Sequence, residues 1–183
     1  MEIRTILGSM LGGFIVAAGA VAIPVAPASA GTLGEAAITR ESSGKCSETD
    51  RRIVRQAFDA WRKGTGSVTD VFAPDIVWRI EGRSLISKVY RGKQQFMNEV
   101  MLPFVARFDK SPYPFRPSIN AVLCEGDTVI VYWDGRGIAN DGRPYENSYA
   151  WFMKMRNGKV VYGTAFYDSI AFNDLWTRVR PSR

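Results

Sequence analysis

The stretch DGRPYENSYAWFMKMRNGK, residues 141–159, decides the fold because a turn dipeptide stands at each end of it. Asp141-Gly142 and Asn157-Gly158 are typical hairpin turns, so the residues between them are predicted to form one long β-strand. One face of that strand carries an amide among four large, mostly aromatic side chains: Tyr145, Asn147, Tyr149, Trp151 and Met153. A polar group in a row of large rings indicates more than a plain core strand.

The segments around this strand predict a meander with helices before it. Residues 118–169 read as four strands separated by Glu-Gly-Asp, Asn-Asp-Gly and Asn-Gly turns, and a short helix follows. Upstream, Ser47 is predicted to cap a first helix, Gly92 opens a second that Pro103 interrupts, and residues 75–80 form a strand between them. Helices followed by an antiparallel meander indicate an α+β domain, with the helices covering one side of the sheet.

Two-residue turns would bring polar side chains of the preceding strand onto the face that carries Asn147. The predicted cross-strand pairs are Arg136 with Asn147, Asp134 with Tyr149, and Tyr132 with Trp151. The other face of this hairpin would then be plainly apolar. A mixed face is compatible with solvated sheet surface, but a large contiguous area of rings favours a pocket or a protein interface.

The register of the last strand stays open. A two-residue turn at Asn157-Gly158 would place Asp168 beside Asn147, whereas a bulge or a longer loop would bring Ala165 and Tyr167 to the same face. Asp168 is also well placed to cap the last helix. Asn147 would either orient a ligand carbonyl or bond a side chain of a neighbouring strand.

Asp134 is the candidate catalytic base, with Tyr132 beside it. The rings expected around it are those of Trp78, Tyr132, Tyr149 and Trp151. Such partial desolvation would raise the pKa of Asp134 and suit it to general base catalysis. The alternative for Asp134 is an ion pair with Arg136 or Arg143.

Composition excludes several classes of function. The 183 residues carry a formal net charge of +6, but Lys and Arg are scattered and form no basic run, so we expect no nucleic-acid partner. The sequence contains no histidine, which removes histidine-based triads and metal sites. We therefore predict neither a metal nor a cofactor, and any acid–base chemistry must use Asp, Glu, Tyr or Lys.

Residues 1–30 are predicted to be a secretory signal peptide. Arg4 precedes an apolar run over residues 6–23, and the small residues Ala28-Ser29-Ala30 predict cleavage after Ala30. The alternative is an uncleaved membrane anchor, since the run approaches the ~20 residues that a bilayer span needs. We expect a protein exported to the periplasm or the medium, with no stable membrane span after cleavage.

The rest of the chain divides into a flexible leader over residues 31–46, a domain over residues 47–179 and a tail over residues 180–183. The two cysteines, Cys46 and Cys124, are candidates for one disulfide in an oxidising compartment. The alternative is two unpaired thiols.

Four segments resemble a known family: AFDAWRKG, APDIVWRIEG, YRGKQQF and YENSYAWFMKMRNGKVVYGTAFYD. They are similar to the SnoaL-like proteins, which belong to the fold group of ketosteroid isomerase, nuclear transport factor two and limonene-epoxide hydrolase. The resemblance covers about residues 47–176. It implies a strongly curved sheet wrapped into a cone, closed by the N-terminal helices, with a pocket inside. Dimerisation through the outer sheet face is common in that group.

The resemblance carries over few catalytic residues. Of the five site positions in the epoxide-hydrolase branch, one family Asp is retained at Asp134. The other four positions fall on Trp78, Ile80, Tyr132 and Ala165. The acidic residue of the polyketide-cyclase branch also falls near Ala165. In ketosteroid isomerase a carboxylate base works with a Tyr and a protonated Asp, which Asp134 would imitate with Tyr132, Tyr149 or Tyr167.

The sequence therefore predicts an exported, homodimeric SnoaL-like domain that binds a small, largely apolar or aromatic molecule in its cone. Cofactor-free isomerase, lyase or hydratase chemistry at Asp134 is the catalytic hypothesis. A non-catalytic binding or dimerisation module of the same fold is the alternative. The predicted pocket residues are Trp78, Arg136, Asn147, Tyr149, Trp151, Tyr167 and Asp168.

Overall fold

The computed structural model describes residues 47–182, so the predicted signal peptide and leader lie outside the described residues. The helices are α1 (Glu48–Lys63), α2 (Lys93–Phe96), α3 (Leu102–Val105) and α4 (Ser169–Arg178). A 3-10 turn spans Val68–Val71, and a π-helical turn over Met97–Met101 joins α2 to α3. The strands are β1 (Phe72–Ile80), β2 (Val89–Arg91), β3 (Arg116–Glu125), β4 (Thr128–Ile138), β5 (Pro144–Arg156) and β6 (Lys159–Tyr167). No helix within these residues is long and apolar enough to cross a membrane.

Helix α1 begins where the sequence predicts. The Ser47 hydroxyl accepts a hydrogen bond of 3.1 Å from the backbone N–H of Asp50, which satisfies one of the free donors of the first turn. Gly64 ends the helix in the left-handed conformation, with φ of 74°. The buried face of the helix consists of Val54, Ala57, Phe58 and Trp61.

The six strands form one curved sheet in the order β2-β1-β6-β5-β4-β3. The predicted meander β3 to β6 is confirmed, and β1 adds to its far edge by parallel pairing with β6. Register shifts occur in β3 between Ile119 and Ala121, and in the β5–β6 pair between Lys154 and Met155. Bulges of this kind bend strands, so the sheet curves around its inner face.

The β4–β5 hairpin has a three-residue loop, not the two-residue turn assumed from the sequence. The backbone N–H of Ala139 donates to the carbonyl of Arg143 at 2.9 Å, and Gly142 adopts a φ of 80° at the third loop position. The observed pairs are Val131 with Trp151, Tyr132 with Ala150, Trp133 with Tyr149, Asp134 with Ser148, and Gly135 with Asn147.

One extra loop residue shifts the register by one and turns every β4 side chain to the opposite face. The predicted pairs of Arg136 with Asn147, Asp134 with Tyr149 and Tyr132 with Trp151 are therefore wrong.

The β5–β6 hairpin settles the register that the sequence left open. Asn157 and Gly158 form a two-residue turn with φ of 51° and 69°, as predicted. The register shift beyond the turn then brings Ala165 opposite Trp151 and Tyr167 opposite Tyr149.

Aromatic side chains fill the space between α1 and the inner face of the sheet. Phe58 and Trp61 of α1 pack on Trp133, with ring centroids 5.4 and 5.3 Å apart. Across the sheet, Trp78 is fully buried against Gly163, where a Cβ atom would stand 2.2 Å from two carbons of the indole. Glycine at position 163 therefore makes room for the Trp78 ring.

Replacing Gly163 with alanine is expected to lower the free energy of unfolding by about 3 kcal/mol, because the added methyl overlaps the buried Trp78 ring. Urea denaturation measures the loss. Gly82→Ala is the control: its φ is 86°, but a Cβ there meets nothing within 4 Å, so only the backbone penalty of about 1 kcal/mol applies. Equal losses in the two variants would contradict the role of Trp78.

Candidate functional site

An aromatic cavity of about 40 Å³ lies between the inner face of the sheet and the helices. Its rings are those of Trp61, Trp78, Phe96, Phe104, Phe115, Trp133, Tyr149, Trp151, Tyr167 and Phe172, and its aliphatic lining is Ile80, Ile86, Val100, Met101 and Ala165. None of these described lining residues carries a charge. The cavity is therefore small, apolar and enclosed mostly by rings.

The structure divides the predicted site residues into two groups. Trp78, Tyr149, Trp151 and Tyr167 line the cavity, as predicted. Asn147 is buried on the same face of β5, with 7% of its surface exposed.

Tyr132, Asp134 and Arg136 project from the opposite face of the sheet, because the three-residue loop inverts the register of β4. The prediction that they face the cone is wrong. Asp134 instead accepts hydrogen bonds from the Ser148 hydroxyl at 2.6 Å and from the Asn120 amide at 2.8 Å.

The charge on Asp134 follows from this outer position. The bond from Ser148, then the bond from Asn120, hold the pKa of the Asp134 carboxyl below its ordinary value, and the Arg136 guanidinium acts in the same direction. The expected rise in the pKa of Asp134 is thus reversed. Asp134 is ionised at neutral pH and lies outside the aromatic cavity.

A polar surface groove of about 400 Å³ brings together four of the predicted residues: Asp134, Arg136, Asn147 and Asp168. The Asp168 carboxylate accepts from the backbone N–H of Ile170 at 2.8 Å and so caps α4. Of the two roles considered for Asp168, the structure therefore has the helix cap.

Asn147 connects the N-terminus of α4 to a pair of tyrosines. Its amide nitrogen donates to the backbone carbonyl of Asp168 at 2.9 Å and to the Tyr145 hydroxyl at 3.0 Å. Its amide oxygen accepts from the backbone N–H of Asp168 at 3.1 Å. The Tyr145 and Tyr149 hydroxyls lie 2.9 Å apart. The amide among the rings is therefore fully bonded.

Three indole N–H groups of cavity-lining residues have no hydrogen-bond partner within residues 47–182. They belong to Trp78, Trp133 and Trp151, whose nitrogens are buried. Trp151 packs edge to face with both of the others, at centroid distances of 4.9 Å to Trp78 and 5.1 Å to Trp133. Buried indole donors usually find an acceptor, and these three nitrogens are enclosed within the cavity wall, whose inner surface is apolar.

Burial keeps the tyrosines of this interior protonated. It raises the pKa of Tyr90 and Tyr145 to about 12. Burial also raises the pKa values of Tyr149 and Tyr167, the two ionisable residues in the described cavity lining. Neither of these lining groups is a base at neutral pH.

Several cavity residues were absent from the predicted site. Trp133 was assigned to the wrong face with the rest of β4. Val129, Val131 and Trp133 stand at alternate positions of β4 and so share one fully apolar face. That pattern indicated the inner face of β4, because a fully apolar face pairs best with the face of β5 that is richest in rings. Trp61 and Phe115 come from distant segments, and local periodicity does not bring them together.

The described residues do not test the predicted disulfide. Cys124 lies in β3, but Cys46 lies outside the described residues, so their disulfide stays a prediction. Within residues 47–182, no group of three or more His, Cys, Asp or Glu side chains is placed to hold a metal ion.

Comparison with known proteins identifies relatives of this fold. A family model described as a SnoaL-like domain matches residues 54–163. No curated protein shows significant similarity to the chain.

Three solved structures are similar. An NTF2-like protein from Burkholderia thailandensis E264 shares 22% identity over 69% of this chain and 95% of that chain, with a TM-score of 0.56. A putative SnoaL-like polyketide cyclase from Jannaschia sp. CCS1 shares 14% identity over 75% and 98%, with a TM-score of 0.56. TerC, co-crystallised with polyporic acid, shares 14% identity over 70% and 98%, with a TM-score of 0.54. At these identities the likeness shows the fold.

We expect the free energy of unfolding to fall as the pH rises from about 10 to about 12. The unfolded chain releases tyrosine protons near pH ~10, whereas the native state holds those of Tyr90 and Tyr145 until about pH 12. Deprotonation therefore favours the unfolded state. Urea denaturation between pH 8 and 12 measures this loss, and Tyr145→Phe should reduce it. A stability that is constant from pH 9 to 12 would contradict the burial of these hydroxyls.

Proposed function

The chain belongs to the SnoaL-like domain family, and we propose that it binds one small, uncharged aromatic molecule that carries an acceptor oxygen. The single observation behind this proposal is the cavity itself, whose described lining consists of aromatic rings and aliphatic side chains without a charge. The proposed role is binding, with no acid–base turnover at Asp134.

The indole donors favour an acceptor-bearing ligand. Tryptophan can only donate a hydrogen bond, so the indole groups of Trp78, Trp133 and Trp151 would bind a hydrogen-bond acceptor, such as a ligand oxygen, once the wall moves to expose one of them. A buried donor without a partner costs about 1–3 kcal/mol. A carbonyl oxygen placed among these groups would recover part of that cost.

The remaining walls favour an uncharged aromatic ligand. Rings and aliphatic side chains surround the cavity, and no described lining residue would pair with an ionic group. Burying an unpaired charge there would be unfavourable, whereas an aromatic ligand gains edge-to-face and stacked contacts with the wall.

The arrangement of ionisable groups argues against general base catalysis in the cavity. A general base must reach the proton that it removes, directly or through one water. Asp134 lies on the other face of the sheet, and burial keeps Tyr149 and Tyr167 protonated. Cofactor-free isomerase, lyase or hydratase chemistry needs a general base in the cavity, and Asp134 is not placed to act as that base.

Entry of a ligand requires part of the wall to move. A cavity of about 40 Å³ is smaller than the ~150 Å³ that holds a benzene ring in a protein core. The π-helical turn Met97–Met101 supplies Val100 and Met101 to the wall. π-Helical turns often occur at functional sites, and methionine adapts readily to a new shape. We expect this segment to move when a ligand enters the cavity.

The similar structures support a small organic ligand. One of them is described as a putative polyketide cyclase, and TerC was co-crystallised with polyporic acid. Those descriptions concern the other proteins. For this chain they favour an organic molecule over a macromolecule as the cone's partner.

Export and dimerisation are part of the proposal. Cleavage after Ala30 would leave a mature chain that begins at Gly31.

The outer face of the sheet exposes large apolar side chains that a second copy would cover: Leu123, Tyr132, Phe152, Tyr162 and Phe166. Phe152 and Phe166 are in contact on neighbouring strands, with ring centroids 5.8 Å apart. Such a patch favours a protein interface.

The binding proposal predicts that 1-indanone, a small aromatic ketone, raises the melting temperature of the protein and quenches its tryptophan fluorescence. Trp133→Phe removes one donor and should weaken binding about fivefold, the effect of one hydrogen bond. Asp134→Asn is the control and should leave the affinity unchanged. The absence of binding at the solubility limit of the ketone would refute the proposal, and lost affinity in Asp134→Asn would restore a role for that carboxylate.

The dimer proposal predicts that native mass spectrometry of protein purified after expression of residues 1–183 shows a dimer whose chains begin at Gly31. Phe166→Glu should give the monomer, because it places a charge in the apolar patch of the outer sheet face. Leu85→Glu is the matched control, since Leu85 is 61% exposed and lies in the β1–β2 connection, off the sheet. A monomeric unchanged protein would exclude the dimer, and chains that begin at Met1 would exclude signal cleavage.

A further inference from the structure

We propose that a second site, on the surface of the domain, binds an aromatic carboxylate. The site is a groove of about 770 Å³ between the proline-rich loop, residues 111–115, and the adjoining ends of β3, β4 and β5. We call it the anion groove, and its charged lining residues are Arg116, Arg136 and Glu146. It shares no described lining residue with the aromatic cavity, so the inference is independent of the function proposed for the cone.

Two arginines give the groove positive charge that no carboxylate neutralises by direct contact. Arg116 and Arg136 lie directly opposite each other on β3 and β4, an arrangement in which like charges are unfavourable. Within residues 47–182, neither guanidinium forms an ion pair with a carboxylate. Arg116 donates to the backbone carbonyl of Phe115 at 3.0 Å, which leaves its charge in place. An anion bound between the two arginines would relieve their repulsion.

The acidic residues near the arginines limit the charge of that anion. Glu146 lies opposite Arg136 on β5 and lines the groove with it. Asp134 is also near Arg136, but its carboxylate is bonded to Ser148 and Asn120 and lines the neighbouring polar groove. Two guanidinium groups and one carboxylate in the lining leave one net positive charge. A monoanion therefore fits the groove better than a dianion.

The apolar wall of the groove favours an aromatic body on the anion. Tyr113 is 69% exposed between Pro112 and Pro114, and Ile138 and Pro144 complete the wall. An exposed ring can stack on a planar ligand, while a guanidinium binds a carboxylate through two parallel hydrogen bonds. The volume of the groove lies within the range of about 300–1,000 Å³ that is usual for small-molecule sites.

The loop that forms one wall is held in place by close contacts with β4. A Cβ atom at Gly135 would stand 2.0 Å from the Phe115 ring, and one at Gly137 would stand 2.8 Å from the Phe115 backbone. The backbone N–H of Ile138 donates to the carbonyl of Tyr113 at 2.9 Å. The loop prolines restrict the backbone further. The groove is therefore preformed, which lowers the entropic cost of binding.

The test measures the binding of 2-naphthoate by isothermal titration calorimetry to protein purified after expression of residues 1–183. Naphthalene-2-carboxamide has the same shape without the charge, and naphthalene-2,6-dicarboxylate carries a second charge. Arg116→Gln and Arg136→Gln each remove a guanidinium, and Glu146→Gln removes the carboxylate. Arg156→Gln is the control, because Arg156 is exposed at the far end of β5 and its loss lowers the net charge equally.

We expect Arg116→Gln and Arg136→Gln each to weaken 2-naphthoate about tenfold, because hydrogen bonds between charged groups are the strong ones. The carboxamide should bind the unchanged protein about tenfold more weakly than 2-naphthoate for the same reason. Glu146→Gln should strengthen 2-naphthoate about threefold and the dicarboxylate by more, since it removes a repulsive charge. Arg156→Gln should change the affinity by less than about twofold, because charges so far apart are screened.

Four results would overturn the inference: no binding of millimolar 2-naphthoate, equal affinity for the carboxamide, equal weakening in Arg156→Gln, or weaker binding of 2-naphthoate in Glu146→Gln. If Arg116→Gln does not fold, Arg136→Gln decides alone, since Arg136 is exposed. Each of these results leaves the proposed function of the cone intact, because the two sites have separate linings.

Discussion

The three-residue loop Asn140–Gly142 between β4 and β5 is the constraint on which the interior depends. With three loop residues, Val131 and Trp133 enter the cone and Asp134 stays outside. With two loop residues, Val131 and Trp133 would lie outside the cone, and the carboxylate of Asp134 would lie among the rings. The side chains of a strand alternate with a period of two, so there is no intermediate arrangement. The chemistry available to the cone is set by the length of this loop.

The same register explains why the residues that stabilise the core also line the cavity. Large rings are needed to fill the space between α1 and a strongly curved sheet, and tryptophan supplies much apolar area per side chain. Each tryptophan also brings one N–H that needs an acceptor. The core built around Trp78, Trp133 and Trp151 therefore holds three indole N–H groups that lack an acceptor among the described residues. This links the packing of the fold to the chemistry of the ligand that we propose.

Features encoded locally could be predicted, and features that depend on loop length or distant segments could not. Alternation within β5 predicted correctly that Tyr149 and Trp151 share a face, and the Asn157-Gly158 turn was recognised from its dipeptide. Asn-Asp-Gly is compatible with both loop lengths, so the face of Asp134 was inverted. The parallel pairing of β1 with β6 joins strands about 90 residues apart, which no local pattern reveals. The face of β5 that lines the cavity was therefore predicted, whereas the faces of β4 were inverted.

Tyrosine is the only ionisable residue type in the described part of the cavity lining, which bears on how a bound molecule would enter and leave. The chain has no histidine, and the lining tyrosines keep their protons well into alkaline conditions. The interior thus has the same charge in an acidic medium as in a neutral one. Protonation of a described lining residue therefore would not couple acidity to the release of the molecule that we propose to bind there. Occupancy would instead follow the ligand concentration outside, so the domain would act as a buffer for that ligand.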